Sequence, residues 1–180
     1  MNSVVNYVFS DSEKIFGFLY DFEFMSLTFP HKMKRRGVEF PSAGNAFHAE
    51  KCPDPKDFEK FSKIDPFKAN EASVGVPVYK NWVDMRDGIM VDLMKQKFSD
   101  PELKKLLLST GDKKLINANH WGDTYWGVNE RGEGQNQLGL ILEEVRKGLQ
   151  EKPTISKLEE KVAPKIEETK KEKFKLFSKK

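Results

Sequence analysis

Residues 40–51 read FPSAGNAFHAEK, and the fold is worked out from this stretch outward. Ser42 stands where a helix cap belongs, and the residues after it form the first turn. That turn carries Gly44, a residue that costs a helix roughly 1 kcal/mol against alanine. Gly44, His48 and Lys51 are spaced i, i+4 and i+7, so they share one helical face. Whatever Lys51 faces, the glycine faces too.

Before this helix, VVNYVF (4–9) and KIFGFLY (14–20) are β-branched and aromatic, and SDSE between them forms turns. They read as two strands. FEFMSLTF (22–29) alternates loosely and reads as a further extended piece. Pro30 ends it, and HKMKRRG reads as a basic, exposed turn.

Beyond the helix the start signals are clear. Asp54-Pro55 and Asp65-Pro66 each place a capping acid before a proline. NWVDMRDGIMVDLMKQKF (81–98) forms a long helix whose stripe holds Trp82, Met85, Ile89, Leu93 and Phe98, widened by Met90 and Met94. SDPELKKLLLST (99–110) opens with a Ser-x-x-Glu box and a proline. KLINAN and TYWGV are short strands or loop edges. From 136 to 150, Leu138, Ile141, Leu142, Val145 and Leu149 line one helical face.

The domain therefore runs over residues 1–150, and residues 151–180 form a charged tail. That tail holds ten Lys against six Glu, so it carries +4 of a net charge of +3 and leaves the body at −1. A body so close to neutral gives no electrostatic case for nucleic acid. The tail, with Phe174 and Phe177 near its end, reads as solvated and disordered, or more sharply as a segment that meets nucleic acid, a membrane surface or a protein partner. Cys52 is the single cysteine, which excludes a disulfide framework within the chain. The start, MNSVVNYVFSDSEK, lacks the basic-then-apolar pattern of a signal peptide, and no apolar run approaches the ~20 residues of a membrane span. A cytoplasmic protein is the expectation, with no membrane attachment. His31, His48 and His120 lack ligand-pair spacing, so no metal is expected.

HWGDTYWGVNERGEGQNQLG (120–139) is the most unusual segment. It sets Trp121, Tyr125 and Trp126 around Asp123, with five glycines. Exposed aromatics offer faces to a planar base. A carboxylate between two indoles can act as acid, base or cation stabiliser. The plainer alternative is a hairpin packed by its own aromatics.

These segments, in this order, resemble the NADAR or YbiA-like domain family. The likeness covers Phe16 to Leu149. It rests on FGFLYDFEF, FPSAGNAFHAEK, the tryptophan opening a long helix, KFSDPELKKLLLSTGDKKLINAN, DTYWG and GQNQLGLILEEVR. The resemblance implies an α+β fold, a predominantly helical single domain with a small β component. It also implies cleavage of N-glycosidic bonds without a cofactor. The implied partners are a small nucleotide-like substrate, such as a ribosylamino-pyrimidine phosphate, or ADP-ribosyl-guanine in nucleic acid.

The family's helix reads roughly P-S-[AV]-E-[HN]-A-[YF]-Q-A-x-K, and its glutamate is an active-site carboxylate. Gly44 stands in that place, Asn45 follows at the [HN] position, His48 replaces the glutamine and Lys51 keeps the lysine. Asp123, Lys51 and His48 are accordingly the candidate catalytic residues. Lys51 is a nucleophile or a clamp, and otherwise a side chain reaching to solvent. His48 is a proton donor near neutral pH or a space filler over the glycine. Trp82, Trp126, Asn45, Gln135 and Asn136 are the candidate substrate-binding residues, the last two beside a helix start that favours an anion. A Gly-Arg pair suited to phosphate is replaced by Ser73 and Val74, which leaves Lys80 or the KMKRR turn for that task. Two functions follow: an N-glycosidase, or a pseudoenzyme without its glutamate that binds a nucleotide, ADP-ribose or a protein.

Overall fold

The computed structural model describes residues 9–151. Most of the strand expected over 4–9, and the tail beyond 151, lie outside the described residues. The chain divides into two units after Lys147, and every element but the last turn of the final helix lies in the first.

The fold is α+β. β1 (Phe9–Ser10) pairs antiparallel with β2 (Lys14–Phe16), and β2 pairs parallel with β5 (Lys114–Ile116). β3 (Pro30–Arg35) and β4 (Val38–Ser42) form a separate hairpin that runs straight into α1 (Ala43–Glu50). α2 (Pro55–Lys60), α3 (Ala69–Ala72), α4 (Trp82–Lys97), α5 (Pro101–Ser109) and α6 (Gln137–Glu151) complete the helices. Met33, Phe40, Phe61, Met90, Leu93, Met94, Phe98 and Leu107 are completely buried between the hairpin and the helices. Each such phenylalanine contributes roughly 2–3 kcal/mol by leaving water.

Three sequence expectations are corrected. β2 stops at Phe16 because Gly17 turns the chain at φ 89. Residues 20–25 are a 3-10 helix rather than extended chain, and the adjacent Phe24 and Met25 are both buried, which strict alternation does not allow. The basic stretch after Pro30 is mostly strand β3, not a turn. Its alternation carries one deeply buried apolar residue, Met33, set opposite Phe40, so the pattern is nearly silent in sequence. The turn itself is only Arg36-Gly37, both at positive φ (47 and 82), the geometry of a tight two-residue hairpin. Arginine in that region costs roughly 1–2 kcal/mol, so tertiary contacts must hold it there.

The helix starts follow the sequence closely. Asp54 caps α2 and Asp65 caps the short 3-10 turn Pro66–Lys68. α5 begins one residue later than the Ser-x-x-Glu pattern suggests. Pro101 takes the first helical position, and the Asp100 carboxylate accepts from Glu102 N (3.0 Å) and Leu103 N (3.1 Å). TYWGV contributes a single parallel bridge, Ala118 to Val128.

Candidate active site

The cap of α1 forms as its sequence directs. Ser42 Oγ accepts from Asn45 N (3.2 Å) and donates to Asn45 Oδ1 (2.6 Å). The Asn45 amide then donates to Phe61 O (2.9 Å) and Ile64 O (2.8 Å). Asn45 is completely buried with both amide hydrogens used. It clamps the segment after α2.

Gly44 sits tight against the chain before the hairpin. Its N–H donates to Leu27 O (2.8 Å), and a Cβ built on it would lie 3.1 Å from that same oxygen. Any side chain at this position would thus start with its Cβ tight against a backbone carbonyl. One turn on, the His48 ring stacks on Phe61 (centroids 6.0 Å, 29°) and meets Phe47 edge-on (5.8 Å, 68°). Burial, with the Lys51 charge second, pushes His48 down to about 3, and its Nδ1 has no hydrogen-bond partner. Burial therefore favours the neutral imidazole of His48 at physiological pH.

Lys51 ends α1, its carbonyl accepting from Tyr79 N (3.0 Å). Its side chain is half-buried, and that desolvation holds the amine below the usual lysine range, with Cys52 opposing. Among the described residues its ammonium has no ion-pair partner, Asp123 included.

The two tryptophans meet α1 through Phe47, a residue the sequence reading passed over. The Phe47 ring lies 5.1 Å from Trp82 and 5.2 Å, edge-on, from Trp126. From Trp126 the rings continue to Tyr125 (5.0 Å, 90°), whose hydroxyl donates to Asp87 (2.7 Å) and whose face carries the Arg86 guanidinium at 3.6 Å. The signal was present, because Phe47 follows Gly44 by three residues and Arg86 follows Trp82 by four.

Asp123 shapes this corner. Its Oδ1 accepts from Tyr125 N (3.1 Å) and Trp126 N (2.9 Å), while Asn119 braces its backbone from both sides (2.7 and 3.0 Å). One carboxylate oxygen is thereby committed to aiming the Tyr125-Trp126 pair, and the other has no protein partner among the described residues.

Asn136 is likewise structural. At φ 53 its side chain accepts from Asn117 N (2.9 Å) and donates to Leu115 O (2.9 Å). The leading N–H groups of α6, on Gln137 and Leu138, donate to Tyr125 O and Trp126 O. They tie the helix to the aromatic loop. Gln135 is exposed, and its backbone N–H donates to Thr124 O (2.8 Å). Ser73 is buried and Val74 exposed; neither offers a phosphate a cation. Among the described residues, no group of three His, Cys, Asp or Glu could hold a metal, and no helix is long and apolar enough to cross a membrane.

α1, the head of α4 and the 123–126 loop thus meet through one phenylalanine. The chain has known relatives. The chain is 33% identical over 123 residues to the N-glycosidase YbiA of Escherichia coli K12, covering 65% of this chain and 75% of that protein. It is 31% identical over 147 residues to a riboflavin biosynthesis protein of Vibrio vulnificus, covering 79% of this chain and 38% of the other. The NMR structure of E. coli YbiA superposes with a TM-score of 0.69 at 29% identity, over 87% of this chain and 93% of that one. The NADAR domain model matches residues 7–150, from ahead of β1 into α6. By sequence and by fold, the chain belongs to the NADAR family.

Proposed function

We propose that this protein cleaves the N-glycosidic bond of a ribosylated base, with Lys51 as the attacking amine. One observation carries the reading. Phe47 joins Trp82 and Trp126 into a single aromatic corner, and Lys51 follows on the same helix one turn later, half-buried and without a counter-ion. The indoles hold the base, and a desolvated amine has a larger neutral, nucleophilic fraction than a solvated one.

In the first step the neutral Nζ attacks C1 of the ribose. The C1–N bond to the base breaks, and its electron pair leaves with the base, which takes a proton from solvent. The substituted nitrogen loses a proton and the sugar ring opens to an imine. Water adds to the imine carbon, the C–Nζ bond breaks, and the free sugar and amine are restored. Asp123 is assigned the stabilisation of positive charge on the sugar, because its Oδ1 serves the turn beneath Trp126 and its second oxygen is unbonded.

The test is to incubate the pure protein with a ribosylamino-pyrimidine phosphate and, separately, with ADP-ribosyl-guanine DNA, while adding borohydride. Release of free base, together with a sugar-sized mass gain on the peptide containing Lys51, is expected. Release without any trapped adduct removes Lys51 as nucleophile.

A second reading, binding without turnover, is favoured by Gly44, which brings no side-chain carboxylate to this face of the helix. Gly44→Glu separates the two. The new Cβ must move the Leu27 carbonyl by a few tenths of an ångström, while loss of a helix glycine returns about 1 kcal/mol. A competent pocket gains ~10²-fold in base release, the usual reach of a positioned acid–base group. A folded variant that binds ADP-ribose and releases nothing marks a binding protein.

A further inference from the structure

We infer that Lys97 is a positioning residue for the cleavage: its buried side chain holds residues 26–29 as a strap that fixes α1, and with it Lys51, against α4. The inference rests on the base-cleaving reading above and adds to it a residue that acts through others.

The starting point is a cost. Lys97 is completely buried in the last turn of α4. Its Nζ donates to Ser26 O (2.7 Å), faces the Phe29 and Phe98 rings at 5.3 and 5.6 Å, and has no ion-pair partner among the described residues. Burying an ammonium on one carbonyl and two ring faces is unfavourable against an apolar side chain of the same length. The other buried residues of α4, Met90, Leu93 and Met94, are all apolar. A further methionine would serve packing better, so the amine is there for the bond it makes.

That bond leads to α1. Residues 26–29 form the turn between the 3-10 helix at 20–25 and β3. The turn is stiffened from within, because Ser26 Oγ and Thr28 Oγ1 lie 2.9 Å apart and Thr28 N donates to Ser26 Oγ (3.2 Å). Among the described residues, two hydrogen bonds tie it to other elements. Lys97 supplies one, at Ser26 O. The Gly44 N–H, in the first turn of α1, supplies the other, donating to Leu27 O (2.8 Å). Gly44 permits this approach, since a Cβ there would lie 3.1 Å from the same oxygen. The two carbonyls are neighbours in the chain, so what Lys97 fixes at Ser26 is passed one peptide on to Gly44.

The strap completes a set of three ties between α1 and α4. Tyr79 N, just ahead of α4, donates to Lys51 O (3.0 Å). Trp82, at its head, lies 5.1 Å from the Phe47 ring. Lys97, at its far end, reaches Gly44 through the turn. Gly44 and Phe47 are only about 4 Å apart along their helix, whereas Trp82 and Lys97 are about 22 Å apart along theirs. The turn bridges a length that α1 does not cover. A helix of eight residues moves as one piece, so play in its first turn appears at Lys51, beyond its last. A displacement of about 1 Å in an attacking group costs on the order of 10²-fold in rate.

The test compares the full chain with Lys97→Met and Lys97→Gln. Amide exchange is read by NMR at Gly44, with Val128 N–H, bonded to Asn117 O (3.0 Å), as the control. kcat and KM are read for release of base from a ribosylamino-pyrimidine phosphate. In Lys97→Met, exchange at Gly44 is expected to quicken roughly tenfold or more while Val128 does not quicken. kcat should fall by about 10- to 10²-fold, with KM little changed because both indoles are untouched. Lys97→Gln keeps a donor one bond shorter and should fall between wild type and Lys97→Met in both readouts. Unchanged exchange at Gly44 in both variants overturns the assignment, whatever happens to the rate. Equal quickening at Gly44 and Val128 overturns it too, as a plain loss of stability. So does a glutamine variant no better than the methionine one, because the donor is then immaterial. Faster exchange confined to Gly44, with no base released even by wild type, upholds the strap and sinks the base-cleaving reading. Base released at one rate by all three proteins does the reverse.

Discussion

Lys51→Arg is expected to lower the rate of base release by about 10³-fold, close to 4 kcal/mol of barrier, with KM little changed. Arginine keeps the charge and much of the length, so a merely electrostatic clamp would survive the change. It cannot supply a neutral amine at any working pH, so a nucleophile would not survive. The wild-type pH profile carries a second mark. Desolvation lowers the Lys51 pKa in the folded protein, so the neutral amine becomes available at lower pH than for a solvated lysine. The rate should rise with pH and level off before the ordinary lysine range. A profile flat from pH 6 to 9, or an arginine variant as fast as wild type, removes the amine from the chemistry. Borohydride trapping is lost in the arginine variant in any case where Lys51 forms the imine.

The parts of this molecule written in local chemistry could be read directly. Asp-Pro pairs announced two helical starts, the Ser-x-x-Glu box placed α5 to within one residue, and Ser42 capped α1 as expected. Trp82 and Trp126 were named through the family resemblance rather than from local chemistry, and both rings lie against Phe47. What escaped depends on partners distant in sequence. Asn45 looked like a ligand-facing amide until the carbonyls of Phe61 and Ile64 arrived 16 and 19 residues later to take both its hydrogens. Asn136 looked like a donor at a helix start, but β5 and its following residue claim its side chain. β3 was hidden because a strand with one buried apolar residue has almost no period-two signal. The hairpin's arginines seemed a solvated turn, because a buried glutamate at the end of the next helix cannot be seen from charge alone. Lys97 was legible in principle. It follows Met90, Leu93 and Met94 at helical spacing, so periodicity already set it on the buried face.

Lys97→Met is expected to stabilise the protein by roughly 1–3 kcal/mol at pH 6, the surplus of relieved burial over lost bonding, and the gain should fade as pH rises. The Lys97 side chain is fully buried, with no carboxylate paired to it among the described residues. Its Nζ donates to Ser26 O (2.7 Å) and lies 5.3 Å from the Phe29 ring and 5.6 Å from the Phe98 ring. Burial pushes its pKa from 10.5 down to about 7. Below pH 7 the amine is charged in both folded and unfolded chains, and the folded chain bears the whole cost of burying it, of order several kcal/mol. Between 7 and 10.5 the unfolded chain holds a proton that the folded chain does not, so stability rises with pH. Above 10.5 both forms are neutral and the cost is gone. Methionine has similar length and no charge, so it removes the cost but leaves Ser26 O without its donor. That loss takes back roughly 1–3 kcal/mol, and the aromatic contacts to the ammonium take back a little more. The measurement is the thermal or urea midpoint of both proteins from pH 6 to 10. The difference should be largest at the acidic end, a few degrees for a chain of this size. A methionine variant less stable than wild type at every pH would mean that the carbonyl and the two rings fully offset the burial of the ammonium.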